Sequence, residues 1–359
     1  MTRDLSASTT AALCDEIQSE SCPRCYLCEN AGEMLYARLS DRLFATPGEW
    51  NLLHCPNPAC GLIWLDPMPL EEDLGKAYAK YFTHEVPLTL PKRPPNLLRR
   101  TYGLVQSAYL AHRFNYGEHT GKRFQWLISL PITLSRVECD GLDIPLRYLT
   151  GSYGARMLDV GCGNGSVVRT AQQLGWDAEG VDFDPVAVEA AQQRGLNVHS
   201  GRLEERNYPD NSFDLILMNH VIEHIYDPLC TLGTIRRILR PGGMLVVTTP
   251  NSSGSGHHHF RSNWVHLDPP RHLRLFNHTN LCALIKRAGL RPTKIRSSIR
   301  ITQQSFVASR SIRRTGRGYE SRWPALLAEL YGRAGAAIQL LTRAWQPLAA
   351  DELLVEARK

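Results

Sequence analysis

Residues Met157–Ser166 read MLDVGCGNGS. A short apolar run ends in Asp159, and glycines follow at 161, 163 and 165. This pattern predicts a strand over 156–160, a tight bend, and a helix over 165–174. Bare backbone at a strand-to-helix bend lets a ligand approach the helix N-terminal amides, and glycine tolerates the positive φ that tight turns require. The spacing is G-x-G-x-G, which differs from the G-x-G-x-x-G of dinucleotide sites. No Gly-Lys-Ser/Thr occurs, so a phosphate-cradling P-loop is excluded.

Outward from this bend, residues 151–309 alternate short apolar runs with helix-like stretches. Strands are expected at 156–160, 177–182, 197–200, 213–218, 243–249 and 293–299. Helices fit 165–174, 185–194, 221–225 with 228–239, and 279–288. The alternation predicts an α/β fold built from βαβ units with a mainly parallel sheet. The second strand ends in EGVDFDP, which places Asp182 at its carboxyl edge. An acid there can accept hydrogen bonds from both ribose hydroxyls. With the glycine bend, it points to an adenosine-bearing ligand that lacks a pyrophosphate.

Taken in order, LDVGCGNG, GVDFDP, SFDLILMNHVIEHIYDP and ILRPGGMLVVTTPN resemble the motifs of class I S-adenosylmethionine-dependent methyltransferases. The resemblance covers about residues 155–300. It implies a Rossmann-like seven-stranded sheet in which ELLVEAR, at 352–358, is an antiparallel last strand beside 293–299. It also implies that Asp159, Gly161, Gly163 and Gly165 face the methionine part of S-adenosylmethionine and that Asp182 holds the ribose. The segment 200–204 passes the adenine, and Asn219 and His220 lie between cofactor and acceptor. Cys162, Phe183 and Leu203 complete the cofactor-binding set. Many relatives carry Asp where this chain has Arg202, and that carboxylate takes the adenine amino group. Glu204 or backbone groups are the available substitutes.

Methyl transfer from a sulfonium is an in-line displacement, so alignment and exclusion of water dominate the task. A hydroxyl or carbon acceptor also calls for a general base, and histidine titrates in a suitable range. The candidates are His220, His224 and His272, with His266 as a further one; His220 is nearest in sequence to the expected methyl position. Arg271, in LDPPRHL, could pair with an acidic group of the acceptor. HVIEH at 220–224 matches an inverted zinc-protease signature. It directly follows the strand of the methyltransferase-like motif and is not read as a metal site. GSGHHH at 254–259 is read as a solvated or acceptor-facing loop.

Ten cysteines occur, six of them at positions 14, 22, 25, 28, 55 and 60. Cys25, Cys28, Cys55 and Cys60 form two pairs that could make a closed S₄ site, with thiolates about 2.3 Å from a structural Zn²⁺. Cys22 and His54 compete as ligands. The run from Cys28 to the Pro-rich exit after Cys60 resembles the zinc-ribbon start found before some methyltransferases of this class, which favours the first set. Such relatives imply a sugar, glycan precursor or natural product as small-molecule acceptor.

The organisation expected is a ribbon over 22–75, a helical cap over 76–150 with a break at VPLTLPKRPP, and a methyltransferase domain over 151–309 plus 350–359. A helical insertion over 310–349 completes it. The N-terminal stretch shows no secretory signal, and no apolar run is long enough to span a bilayer, so a cytoplasmic setting is expected. The net charge is +6. Basic residues concentrate over 291–322, beside an amphipathic stretch at 322–345. The region 310–345 is therefore either a lid or a peripheral contact with the inner membrane face. RNA methylation is an alternative, because basic patches could grip phosphates. It is disfavoured because the ribbon lacks aromatics interleaved with Lys and Arg. A non-catalytic cofactor-binding scaffold is the third reading.

Overall fold

The protein is described by a computed structural model over residues 17–78, 97–114, 125–135, 138–140, 142–143, 147–149, 154–318 and 325–359. Its centre is a seven-stranded sheet. The strands are β1 (Arg156–Val160), β2 (Asp177–Asp182), β3 (Val198–Ser200), β4 (Phe213–Asn219), β5 (Leu239–Pro250), β6 (Arg291–Ser298) and β7 (Glu352–Arg358). Their order across the sheet is β6-β7-β5-β4-β1-β2-β3. The pairings β6–β7 and β7–β5 are antiparallel, and those from β5 to β3 are parallel. The Rossmann-like architecture, the antiparallel last strand and its pairing with the strand near 293–299 all stand as expected. The order reverses beside β1, and ligands of such sheets bind outside the carboxyl ends at that reversal.

Local chemistry explains the helices around the sheet. Helix Pro185–Gln192 begins at Asp184, whose carboxylate accepts from the amides of Val186 and Ala187. Helix Pro228–Ile238 begins in the same way at Asp227. An Asp cap followed by Pro in the first turn satisfies otherwise orphaned amides and presets φ. The helix expected at 221–225 is only one 3₁₀ turn, Ile222–His224. Helices at Leu97–Phe114 and Gln125–Thr133 fall in the stretch expected to be helical, whereas VPLTLPKRPP lies outside the described residues.

The ribbon is antiparallel: Glu33–Leu39, Trp50–His54 and Ile63–Asp66 pair in sequence. A fourth strand, Arg274–Leu275, joins it from beyond β5. One cluster of buried side chains runs from Leu52, Leu62 and Leu65 of the ribbon through Phe276 and Leu281 to Ile216 and Val247 of the central sheet. Burying apolar surface at this junction holds the two sheets together. GSGHHH is not an open loop. Helix Ser255–Phe260 takes up its last five residues after Gly254 as N-cap, with His257 buried against Trp264 and bonded to the Ser252 carbonyl. Among the described residues no helix is long and apolar enough to cross a membrane.

Candidate active site

The bend after β1 packs too tightly for side chains at Gly161 and Gly165, whereas Gly163 faces open space. Gly161 has φ +71°, and a Cβ there would lie 2.3 Å from a methyl of Val221. Gly165 caps the following helix at φ 73°. The amide of Gly163 donates to Asp182 Oδ2 at 2.7 Å, and that of Asp184 donates to Asp182 Oδ1 at 2.9 Å. The acid at the tip of β2 is thus fixed against the bend. Burial raises the Asp182 pKa. Behind it, burial and the neighbouring Asp182 charge push Asp159 up to about 8. Asp159 Oδ1 is buried without a hydrogen-bond partner. Asp159 lies behind the wall of the adjoining cavity and is not among the residues that line it.

A cavity of about 790 Å³ opens here, within the range of small-molecule sites. Gly161, Asp182, Phe183, Leu203, Asn219 and His220 line it. Gly163 and Gly165 shape the bend but are not among the lining residues. Cys162 is buried against Gly180, where a Cβ would meet its sulfur at 2.7 Å. His224 also lines the cavity, while His272 sits behind it with ring centroids 4.6 Å apart. A contribution invisible in the sequence comes from helix Glu71–Tyr78: Glu71, Leu74, Gly75 and Tyr78 form one wall. Nothing in that segment's composition marks it as part of a cofactor site.

His220 and His224 have different electrostatics. His220 lies in the left-handed region at φ 54°. Its Nε2 is 2.8 Å from Glu352, its Nδ1 is 3.3 Å from Glu223, and Arg300 Nε bonds Glu352 at 3.1 Å. Burial alone would lower the His220 pKa, but bonds to Glu223 and Glu352 outweigh it and hold the ring up at about 9. The two carboxylates are held at about 2 despite their burial. A ring protonated at neutral pH cannot accept a proton, so this geometry speaks against His220 as the base. His224 is the reverse case. Burial, reinforced by His272, lowers it to about 4. Its Nδ1 is 3.0 Å from the Arg271 carbonyl and 2.8 Å from the Tyr78 hydroxyl. His272 Nδ1 meets the His266 carbonyl at 2.7 Å. His266 is bonded to Ser305 and pushed down by burial to about 3.

Arg271 does not face an acceptor. It is fully buried, paired with Asp41 at 2.8 Å and with Asp268, and lies over the Phe44 ring. Burial penalises its charge, yet Asp268 and Asp41 raise its pKa further. It ties the ribbon loop to the segment after β5.

The thiols of Cys25, Cys28, Cys55 and Cys60 all lie within 4.8 Å of one another, and Cys22 and His54 are outside this group. Cys28 and Cys55 are 3.3 Å apart, Cys25 and Cys60 3.7 Å. A tetrahedron with 2.3 Å bonds has edges of about 3.8 Å. The donor set therefore fits zinc. Burial pushes the Cys25 thiol up to about 11, a cost that a bound cation would remove.

Residues 135–295 match the family described as a methyltransferase domain. A ubiquinone biosynthesis O-methyltransferase of Cereibacter sphaeroides is 36% identical over 116 residues, which are 31% of this chain and 45% of that enzyme. A probable S-adenosylmethionine-dependent methyltransferase of Mycolicibacterium smegmatis is 33% identical over 100 residues, 27% of this chain and 39% of that protein. The chain thus spans less than half the length of these two relatives. A solved SAM dependent methyltransferase from Archaeoglobus fulgidus superposes with a TM-score of 0.42 at 19% identity, covering 66% of this chain and 100% of that one.

Proposed function

We propose, from the premise that residues 135–295 are a methyltransferase domain, that this chain transfers the methyl group of S-adenosylmethionine to a hydroxyl of a small-molecule acceptor. The observation that carries the reading is Asp182, fixed by the Gly163 amide at the mouth of a 790 Å³ cavity where β1 and β2 end. The cofactor supplies an electrophilic methyl on a sulfonium. In this reading Asp182, which lines the cavity, takes the ribose hydroxyls, and Asp159 supports the bend from behind. Asn219 and Gly161 line the same cavity, and this reading puts them between cofactor and acceptor.

The base in this reading is His224. It is neutral at physiological pH, and its Nδ1–H donates to the Arg271 carbonyl, so the Nε2 lone pair can take the acceptor's proton. His272 acts as a positioning residue, and the Tyr78 hydroxyl closes the wall beside it. His220 contributes a fixed positive charge balanced by Glu223 and Glu352. The relative named for O-methylation in ubiquinone biosynthesis supports oxygen as the acceptor atom. The sugar or glycan acceptor implied by the ribbon gains no support from it.

Zn²⁺ would be held by Cys25, Cys28, Cys55 and Cys60, closed and structural. The division into 22–75, 76–150, 151–309 with 350–359, and 310–349 remains our organisational reading. Peripheral membrane contact through 310–345 is supported by Leu326, Leu327, Leu330, Ile338, Leu341 and Trp345, all exposed on helix Ala325–Trp345. Flotation with anionic liposomes tests it, and failure to float ends it. Calorimetry with S-adenosylmethionine tests the central claim. No heat of binding, or equal loss of cofactor affinity and turnover in His224→Ala, contradicts it.

A further inference from the structure

Adenine presents a hydrogen-bond donor, its exocyclic amine, beside an acceptor, N1. Recognition of that edge calls for an acceptor and a donor side by side. The resemblance drawn from the sequence implies that the amine is read just after β3; Arg202 stands there and lines the cavity, and a guanidinium has five donors and no acceptor. Alone, it cannot take the amine's hydrogen. The structure brings a carboxylate to the same place by another route: Glu71, at the start of the helix that follows the ribbon, pairs with Arg202 Nη1 at 2.7 Å. Both residues line the cavity. The carboxylates that follow Arg202 in the chain are tied back into the fold. Glu204 Oε1 accepts from Thr231 Oγ1 at 2.5 Å, and Glu205 Oε2 accepts from the Arg202 amide at 3.1 Å.

We infer that the Glu71–Arg202 pair is the adenine-specificity element of the cofactor site. Glu71 accepts from the exocyclic amine, and Arg202 donates to N1. This inference rests on the cofactor reading above and goes further, because it assigns base recognition to a residue outside the segment that matches the methyltransferase family. Each carboxylate oxygen has two lone pairs, so Glu71 can bind Arg202 and the amine together. The pair is half-exposed at the cavity rim, so it can adjust as the base enters.

The deaminated analogue separates this role from general binding. S-inosylhomocysteine carries a 6-oxo acceptor and an N1–H donor, the inverse of the adenine edge. Calorimetry on the full chain should show S-adenosylhomocysteine bound about 10- to 100-fold more tightly than S-inosylhomocysteine. Glu71→Ala should bring that ratio close to unity, because it removes both the acceptor for the amine and the carboxylate that repels the 6-oxo group. Glu204→Gln should keep the wild-type ratio. Glu71 is exposed, so an unchanged melting temperature verifies that the variant is folded. A wild-type ratio in Glu71→Ala, or its collapse in Glu204→Gln instead, overturns the assignment alone. Uptake of neither compound by the wild type overturns the cofactor reading together with it.

Discussion

At the residue scale, environment decides what identical side chains can do. His220 and His224 are separated by one turn, yet one is flanked by carboxylates and the other by carbonyl, phenol and imidazole. The first is held charged and the second neutral. With His224 lowered to about 4, kcat/KM should stay flat from pH 5 to 8 and fall only below that range; an inflection near 6.5 would assign the base elsewhere. His220 has the opposite linkage. Its folded pKa of about 9 lies above the unfolded value of about 6.5, so its stabilising contribution is complete below 6.5 and is lost as pH rises through about 9. Urea unfolding at pH 6.5 and 9.5 should show a loss in the wild type that His220→Gln lacks. Asp182→Asn should weaken S-adenosylmethionine binding about 10- to 100-fold by calorimetry, because the charge-assisted hydrogen bonds to the ribose that we propose would be lost. Arg271→Leu should cost about 3–5 kcal/mol in urea unfolding, since Asp41 and Asp268 would be left buried without a counter-charge.

At the scale of elements, the bend after β1 is bounded by packing as much as by ligand access. Gly161→Ala places a methyl against Val221 and forces a left-handed alanine, at a cost of at least about 1–2 kcal/mol. The double variant Gly161→Ala/Val221→Ala should recover part of the loss in thermal unfolding, because the clash goes and the backbone strain stays. The strands and helices here were legible in the sequence. Asp184-Pro185 and Asp227-Pro228 announce helix starts, and the strand ends carry their acids in view. The 3₁₀ turn at Ile222–His224 was not legible as such. Its residues suit an α-helix, but the amide of Leu273 bonds the Glu223 carbonyl, which diverts that backbone into the junction with the ribbon.

At the scale of the whole molecule, the ribbon is part of the site's architecture. The side chains of Asn277 and Asn280 donate to the Cys60 carbonyl at 3.0 Å, and the Leu65 amide bonds the Leu273 carbonyl. The same ribbon leads directly into the helix that supplies Glu71 and Tyr78. Stripping metal with a chelator, or Cys60→Ser, should therefore lower Tm and weaken S-adenosylmethionine binding together. Metal analysis should find one zinc per chain; a zinc-free protein with unchanged Tm and cofactor affinity would remove zinc from the account.

The sequence by itself determined the βαβ alternation, the glycine bend and the acid at the tip of β2, because each follows from periodicity or backbone freedom within a short stretch. Only the tertiary structure decided which histidine is neutral, that Arg271 is an internal tie, and that Glu71 stands beside Arg202. Those outcomes depend on burial and on charges brought from distant parts of the chain, and neither is encoded in local spacing.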